Sequence, residues 1–298
     1  MAGSAAERGV RSARPASRRP TLAWLGVAPF FIFATLFMFL PASFLVVGSF
    51  LDQQGQPTLQ NYVDLTTPFV ATSYANSIEI SAVTAIGGGI FGFLLAAAVI
   101  LGGLPRFMRN ALMTFSGVAS NFAGVPLALA FIYTLGNLGF LTALINRTFA
   151  TDIGQAGFSL YSKVGLEIVY MYFQFPLMVL IIAPALDGLK RDWREAAENM
   201  GATGFQYWRY VAFPILLPSL MGAVILLFGN AFGAQATAFQ LTGGTIPIAS
   251  IVIGAQIRGD VLHNTGLGFA MAMGMVFIMG AAITGYSLLQ RRSERWLK

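Results

Sequence analysis

The sequence has no cysteine, a single histidine, and charge on only 10% of its 298 residues. Without cysteine there are no disulfides, thiolate metal sites or thiol nucleophiles. One imidazole, His263, cannot build a zinc cluster or supply a conventional triad. Twelve acidic and eighteen basic side chains cannot clothe a soluble particle of this size, where about a quarter of residues are ordinarily charged. A cytosolic enzyme, a secreted scaffold and a disordered chain are therefore excluded. What is abundant is apolar: 56% of the residues are hydrophobic and the mean hydropathy is +0.70, as in a polytopic membrane protein. The net charge of +6 lies in short clusters between apolar runs, the pattern of loops and not of a nucleic-acid-binding face.

The charge-free runs read as spans. Residues 21–51, 80–105, 110–146, 168–186 and 210–257 lack charge, and 261–290 carries only His263. A bilayer core needs about 20 apolar residues per helix, so six spans are expected, in an all-α fold. The run 110–146 is assigned one crossing, Ala111 to Leu135, followed by an external loop opening at Gly136. The run 210–257 crosses from Phe213 to Ala236, is broken by Gly243-Gly244, and continues as a short external or re-entrant helix. Placing both termini in the cytoplasm puts 15 of the 18 Lys and Arg residues there, leaving Arg147, Lys163 and Arg258 outside. Residues 1–21 form a basic cytoplasmic tail, 22–50 an N-terminal transmembrane helix bent at Pro29 and Pro41, 76–290 a five-helix core, and 291–298 a second basic tail. Ser17-Arg18-Arg19-Pro20 imitates a twin-arginine signal, but the apolar stretch behind it is too long for a signal peptide and reads as a retained anchor.

Between the fourth and fifth spans, residues 188–212 form the one informative cytoplasmic loop. Asp192 is placed to cap a helix through Glu195, Ala196 and Ala197 that ends at Gly201. A second, aromatic helix with Phe205, Trp208 and Tyr210 then runs into Pro214. On periodicity alone this is equally an interfacial anchor. Glu195-Ala196-Ala197, three residues, Gly201, nine residues, then Val211-Ala212-Phe213-Pro214 resembles the EAA signature of the permease subunits of ABC importers, with Val and Phe in place of Ile and Leu. The resemblance extends over most of the chain. Weaker positions, Thr242 to Thr245 and Gly266 to Gly268, are most similar to spermidine/putrescine-type permeases.

The resemblance implies a bacterial inner-membrane importer subunit whose elbow, at Glu195, Ala196, Ala197, Gly201, Val211 and Pro214, docks on a separate ATPase. It implies further partners in a second permease chain, identical or homologous, and an external substrate-binding protein, and a small polar or cationic substrate such as a polyamine. This chain has no GxxxxGK[ST] loop with which to use ATP itself. No catalytic residue, metal site or cofactor is expected. The rival is a stand-alone secondary transporter, which should carry coupling charges at mid-bilayer and a repeat of its helices.

For the pathway the candidates are Glu79, Asn121, Gln174, Asn230 and Gln235, with Glu167 and Ser120 beside them. Glu79 and Glu167 lie near the external ends of spans two and four, about one turn in, where they would line an outward vestibule or snorkel to headgroups. The amides would line the pore or bond helix to helix. Gly88/Gly92 and Gly229/Gly233 have the spacing of close helix packing, and Pro126, Pro176 and Pro184 mark candidate kinks.

Overall fold

The computed structural model describes residues 23–149, 157–259 and 263–294. The expected N-terminal tail, and residues 295–298 of the C-terminal one, lie outside them. Two compact units divide the chain, residues 1–44 and 45–298. The first holds helix α1 (Ala23–Ala34), a π-helical turn (Thr35–Phe39) and the start of α2 (Leu40–Gly48). Pro41 has no N–H to return to Phe37, and the helix passes this point with the wider turn in which the Leu40 N–H bonds to Thr35 O.

In the second unit the described residues form helices α3 (Gln60–Asp64), α4 (Pro68–Leu101), α5 (Arg106–Asn121), α6 (Val125–Leu135), α7 (Phe140–Phe149) and α8 (Lys163–Asp187), followed by α9 (Arg191–Asn199), α10 (Gly204–Tyr207), α11 (Phe213–Gly233), α12 (Ala236–Thr242), α13 (Ala249–Arg258) and α14 (Thr265–Glu294). Six segments are long and apolar enough to cross a bilayer: Gly26–Gly48, Pro68–Leu101, Val125–Thr148, Lys163–Asp187, Gly204–Gly233 and Thr265–Gln290. The protein is an all-α polytopic membrane protein.

Helix α8 is the centre of the second unit and packs against α4, α5 and α11. Two apolar clusters lie along it. One gathers Leu127, Leu166, Tyr170, Phe173 and Leu241; the other gathers Met178, Ile182, Leu186, Leu216 and Leu227. Small residues set the closest approach, as expected where helices associate by packing and not by the hydrophobic effect. A Cβ on Gly88 would stand 2.6 Å from the Gln174 Cβ, and one on Gly92 2.6 Å from the Met178 Cβ, so α4 lies directly on α8.

Three expectations are corrected. The second span starts at Pro68 and runs 34 residues, so Glu79 stands about three turns into it and not one. Proline at the first helical turn suits that start, and charge spacing could not see it because Glu79 interrupts the charge-free run. The expected third span, Ala111 to Leu135, is two helices. Gly124 adopts φ +74°, ψ −148°, a region open in practice only to glycine, and Pro126 has no N–H to bond to Phe122, so α5 stops at Asn121 and α6 starts afresh. The qualifying apolar stretch extends instead through α7, across a turn at Gly136–Gly139, where a plain external loop was expected. The fifth span also stops early, at Gly233, before α12. Gly243 and Gly244, at φ +60° and +82°, make the expected break, and α13 is the short helix after it.

Candidate functional site

The elbow is built by local rules. Asp187 ends α8, and α9 starts after Lys190 with no side-chain cap; Asp192 lies inside the first turn and does not cap it, so its carboxylate favours the helix through the N-terminal dipole. Gly201, at φ +81°, closes α9, with its N–H bonded to Glu198 O and that of Ala202 to Ala197 O. Thr203 and Gln206 form a reciprocal capping box that opens α10. The helix then passes through a π-helical turn, Trp208–Ala212, into α11, where Pro214 withholds the N–H that Tyr210 would need.

This folding buries Ala197, Tyr207 and Ala212 together, with Leu189, Ala202, Trp208 and Val211 packed on them. Trp208 reaches the edge of Phe93 on α4, with ring centres 6.3 Å apart. The two arms of the elbow are thus joined to each other and to a membrane span. Glu195 and Ala196 are exposed, and Glu195 lies with Arg191, Arg194 and Glu198 on the side of α9 that lines a cleft. Arg194 donates to Glu198 at 2.8 Å, and this bond together with the neighbouring carboxylate charge raises its pKa further. Apolar residues project from the elbow: Met200 is 82% exposed and Phe205 73%.

A second site lies inside the bundle, where the breaks of two spans meet. The Gly124 N–H donates to the Thr237 hydroxyl at 2.8 Å, and that hydroxyl lies 3.3 Å from Gly124 O, so the α5–α6 break is stitched to α12. At the α11–α12 break the freed Ala234 carbonyl accepts from the Tyr170 hydroxyl. One turn along α8 from Tyr170, fully buried Gln174 donates to Leu227 O at 2.8 Å and accepts from Asn230 at 3.5 Å. Interrupted helices with backbone groups turned inward are tolerated at membrane depth only where protein or a wet cavity satisfies them. Such interruptions are also where transporters bind polar solutes.

Residues 161–298 match the family described as binding-protein-dependent transport system inner membrane component. That stretch carries an ABC importer permease domain. Among curated proteins the chain is 29% identical to the sulfate transport system permease protein CysT of Escherichia coli (strain K12) over 71% of its own length and 72% of that protein. It is 26% identical to the spermidine/putrescine transport system permease protein PotB of Haemophilus influenzae over 90% of its own length and 95% of that protein. In fold it is similar to a chain of a bacterial alginate ABC transporter solved in complex with an alginate pentasaccharide-bound periplasmic protein, with a TM-score of 0.67 at 17% identity over 93% of this chain and 95% of that one.

Gln174 and Asn230, two of the pathway candidates, come together in a hydrogen bond between α8 and α11. Gln235 stands at the α11–α12 break with its amide against Gly254 of α13, where a Cβ would meet it. Asn121 ends α5 at the other break, but it is exposed and donates to Gly117 O at 2.8 Å within its own helix. Glu79 is ion-paired with Lys163, whose ammonium also donates to the side-chain amide oxygen Oδ1 of Asn76 at 3.4 Å, and Glu167 interacts electrostatically with both members of the pair. The two glutamates therefore lie together around Lys163, the first residue of α8. Tyr170, Thr237 and Gly124 escaped notice. Tyr170 and Gln174, four apart on α8, share one face, and that spacing was the available signal.

Proposed function

We propose that this chain forms one half of the translocation pathway of an ATP-driven importer in a bacterial inner membrane, with both termini cytoplasmic, and takes its energy from separate ATPase subunits that dock on the elbow. The carrying observation is the pair of exposed apolar side chains, Met200 at the end of the charged helix α9 and Phe205 in α10 just beyond it. Exposed apolar groups rimmed by charge mark a protein interface. The cluster of Ala197, Tyr207 and Ala212, and the contact of Trp208 with Phe93, supply a rigid link from that interface to α4 and α8. Closure of the ATPases on nucleotide binding would then move the spans, exposing the stitched breaks outward, and hydrolysis would return them.

The other half is a second permease chain, identical or homologous, and an external binding protein delivers the solute, as the alginate transporter was solved with one. We assign a small polar or cationic solute, of which a polyamine is the model case. At the outer mouth two carboxylates, Glu79 and Glu167, face the one ammonium of Lys163. Deeper in, the stitched site offers amides and carbonyls without formal charge. The relatives do not favour a stand-alone secondary transporter.

The test is co-purification from native membranes in mild detergent. Wild type should carry a P-loop ATPase, and Met200→Glu/Phe205→Glu should lose it while inserting normally. An ATPase retained undiminished by the double variant would remove the docking face.

A further inference from the structure

Above the elbow lies a cleft of ≈ 840 Å³ that the transport cycle as proposed does not use. One wall is apolar and belongs to the last turns of a membrane span: Leu94, Ala97, Ala98 and Leu101 of α4. The opposite rim is charged and belongs to the elbow: Lys190, Arg191, Arg194, Glu195 and Glu198, with Asp187 at the end of α8.

Much of this charge is already neutralised. Asp187 is bonded to Arg109 at 2.5 Å and Glu198 to Arg194 at 2.8 Å. Among the described residues that leaves two cations, Lys190 and Arg191, against the single carboxylate of Glu195. Lys190 is held over the Trp193 ring at 5.8 Å, which fixes one of these charges at the rim.

An apolar wall that continues a membrane span, topped by excess positive charge at the span's end, complements an amphiphile with an anionic head. We propose that the cleft binds one anionic phospholipid of the cytoplasmic leaflet, with its phosphate between Lys190 and Arg191 and its acyl chain along Leu94 and Ala98. This rests on the cytoplasmic placement of the elbow proposed above. A soluble phosphate compound would leave the apolar wall in water, and a wholly apolar ligand would leave Lys190 and Arg191 without an anion, so the lipid accounts for both halves of the lining. Bound there, it would wedge between α4 and α9, beside the Trp208–Phe93 contact that joins α4 to the second arm of the elbow, and so tune how far the elbow moves.

The experiment counts bound lipid and does not depend on transport. The complete transporter is reconstituted in nanodiscs of phosphatidylcholine containing about one-fifth phosphatidylglycerol, released, and analysed by native mass spectrometry. Wild type should retain one phosphatidylglycerol per chain in preference to phosphatidylcholine. Lys190→Gln/Arg191→Gln should lower retention about tenfold or more. Ala98→Trp, which obstructs the apolar wall and leaves every charge in place, should lower it too, so that a loss in the first variant cannot be laid to a disturbed elbow. Equal retention of the two lipids, or retention unmoved by both variants, would overturn the site. Displacement of the lipid by millimolar inorganic phosphate would overturn the lipid assignment and leave a phosphate site. Because ATPase co-purification is scored on the same samples, a transporter that docks its ATPase but holds no lipid refutes this inference alone.

Discussion

The hydroxyl of Thr237 lies 2.8 Å from the amide nitrogen of Gly124, across 113 residues of sequence, and joins the interruption of one membrane span to the helix that follows the interruption of another. Gly124 is thereby satisfied inside the protein, as the Ala234 carbonyl at the other break is by Tyr170, and the two breaks are tied together. Thr237→Val, which keeps the shape and removes the oxygen, should lower the thermal midpoint in detergent by the equivalent of about 1 kcal/mol, whereas Thr237→Ser should hold it. A Val variant as stable as wild type would mean that water already shares the Gly124 amide.

At Gly201 backbone and steric effects can be separated. Its φ of +81° penalises any side chain, yet nothing lies within 4 Å of where a Cβ would go. Gly201→Asn, which tolerates the left-handed region, should keep the elbow folded at a cost below about 1 kcal/mol and still bring down the ATPase. Gly201→Trp should insert but not associate. If Asn fails as badly as Trp, the glycine serves its backbone conformation and not the approach of a partner.

Glycines on different helices should respond with opposite sign. Gly88→Ala sets a methyl 2.6 Å from the Gln174 Cβ, against nothing within 4 Å for Gly117→Ala. Yield and midpoint should fall for Gly88→Ala by about 1–3 kcal/mol, while Gly117→Ala, in the interior of α5, should gain a few tenths to about 1 kcal/mol. Thermal melts of the two purified variants give the comparison directly.

Glu79→Gln breaks the pair with Lys163, but the carboxylate side chain is 58% exposed, so the stability change should stay below about 1 kcal/mol. Its effect should appear in transport. Uptake of labelled spermidine into cells should weaken in the variant and uptake of sulfate should not. Unchanged spermidine uptake would reduce Glu79 to an interfacial residue.

The absence of cysteine makes topology directly measurable. Single cysteines at Met200 and at His263, both exposed, should react with a membrane-impermeant maleimide from opposite sides, His263→Cys in intact spheroplasts and Met200→Cys only after lysis. Labelling of both from one side would reverse the orientation assigned from Lys and Arg.

Membrane residence and the approximate position of each span followed from composition and charge spacing, because hydrocarbon excludes charge along the chain itself, one residue at a time. The elbow was legible for a related reason. A helix, a glycine with positive φ and a proline-started span are local events, written over some twenty consecutive residues from Glu195 to Pro214. Charge spacing could not place the start of α4, because Glu79 lies within the helix and is neutralised by Lys163, 84 positions away. Nor could it reveal that Tyr170 seals the Ala234 carbonyl, that Thr237 holds Gly124, or that Gln174 is buried between two apolar clusters. Each of these depends on which face of one helix meets which face of another. That pairing is decided by glycine-set approach distances and by backbone groups that have no water to bond, and it exists only once the helices are packed.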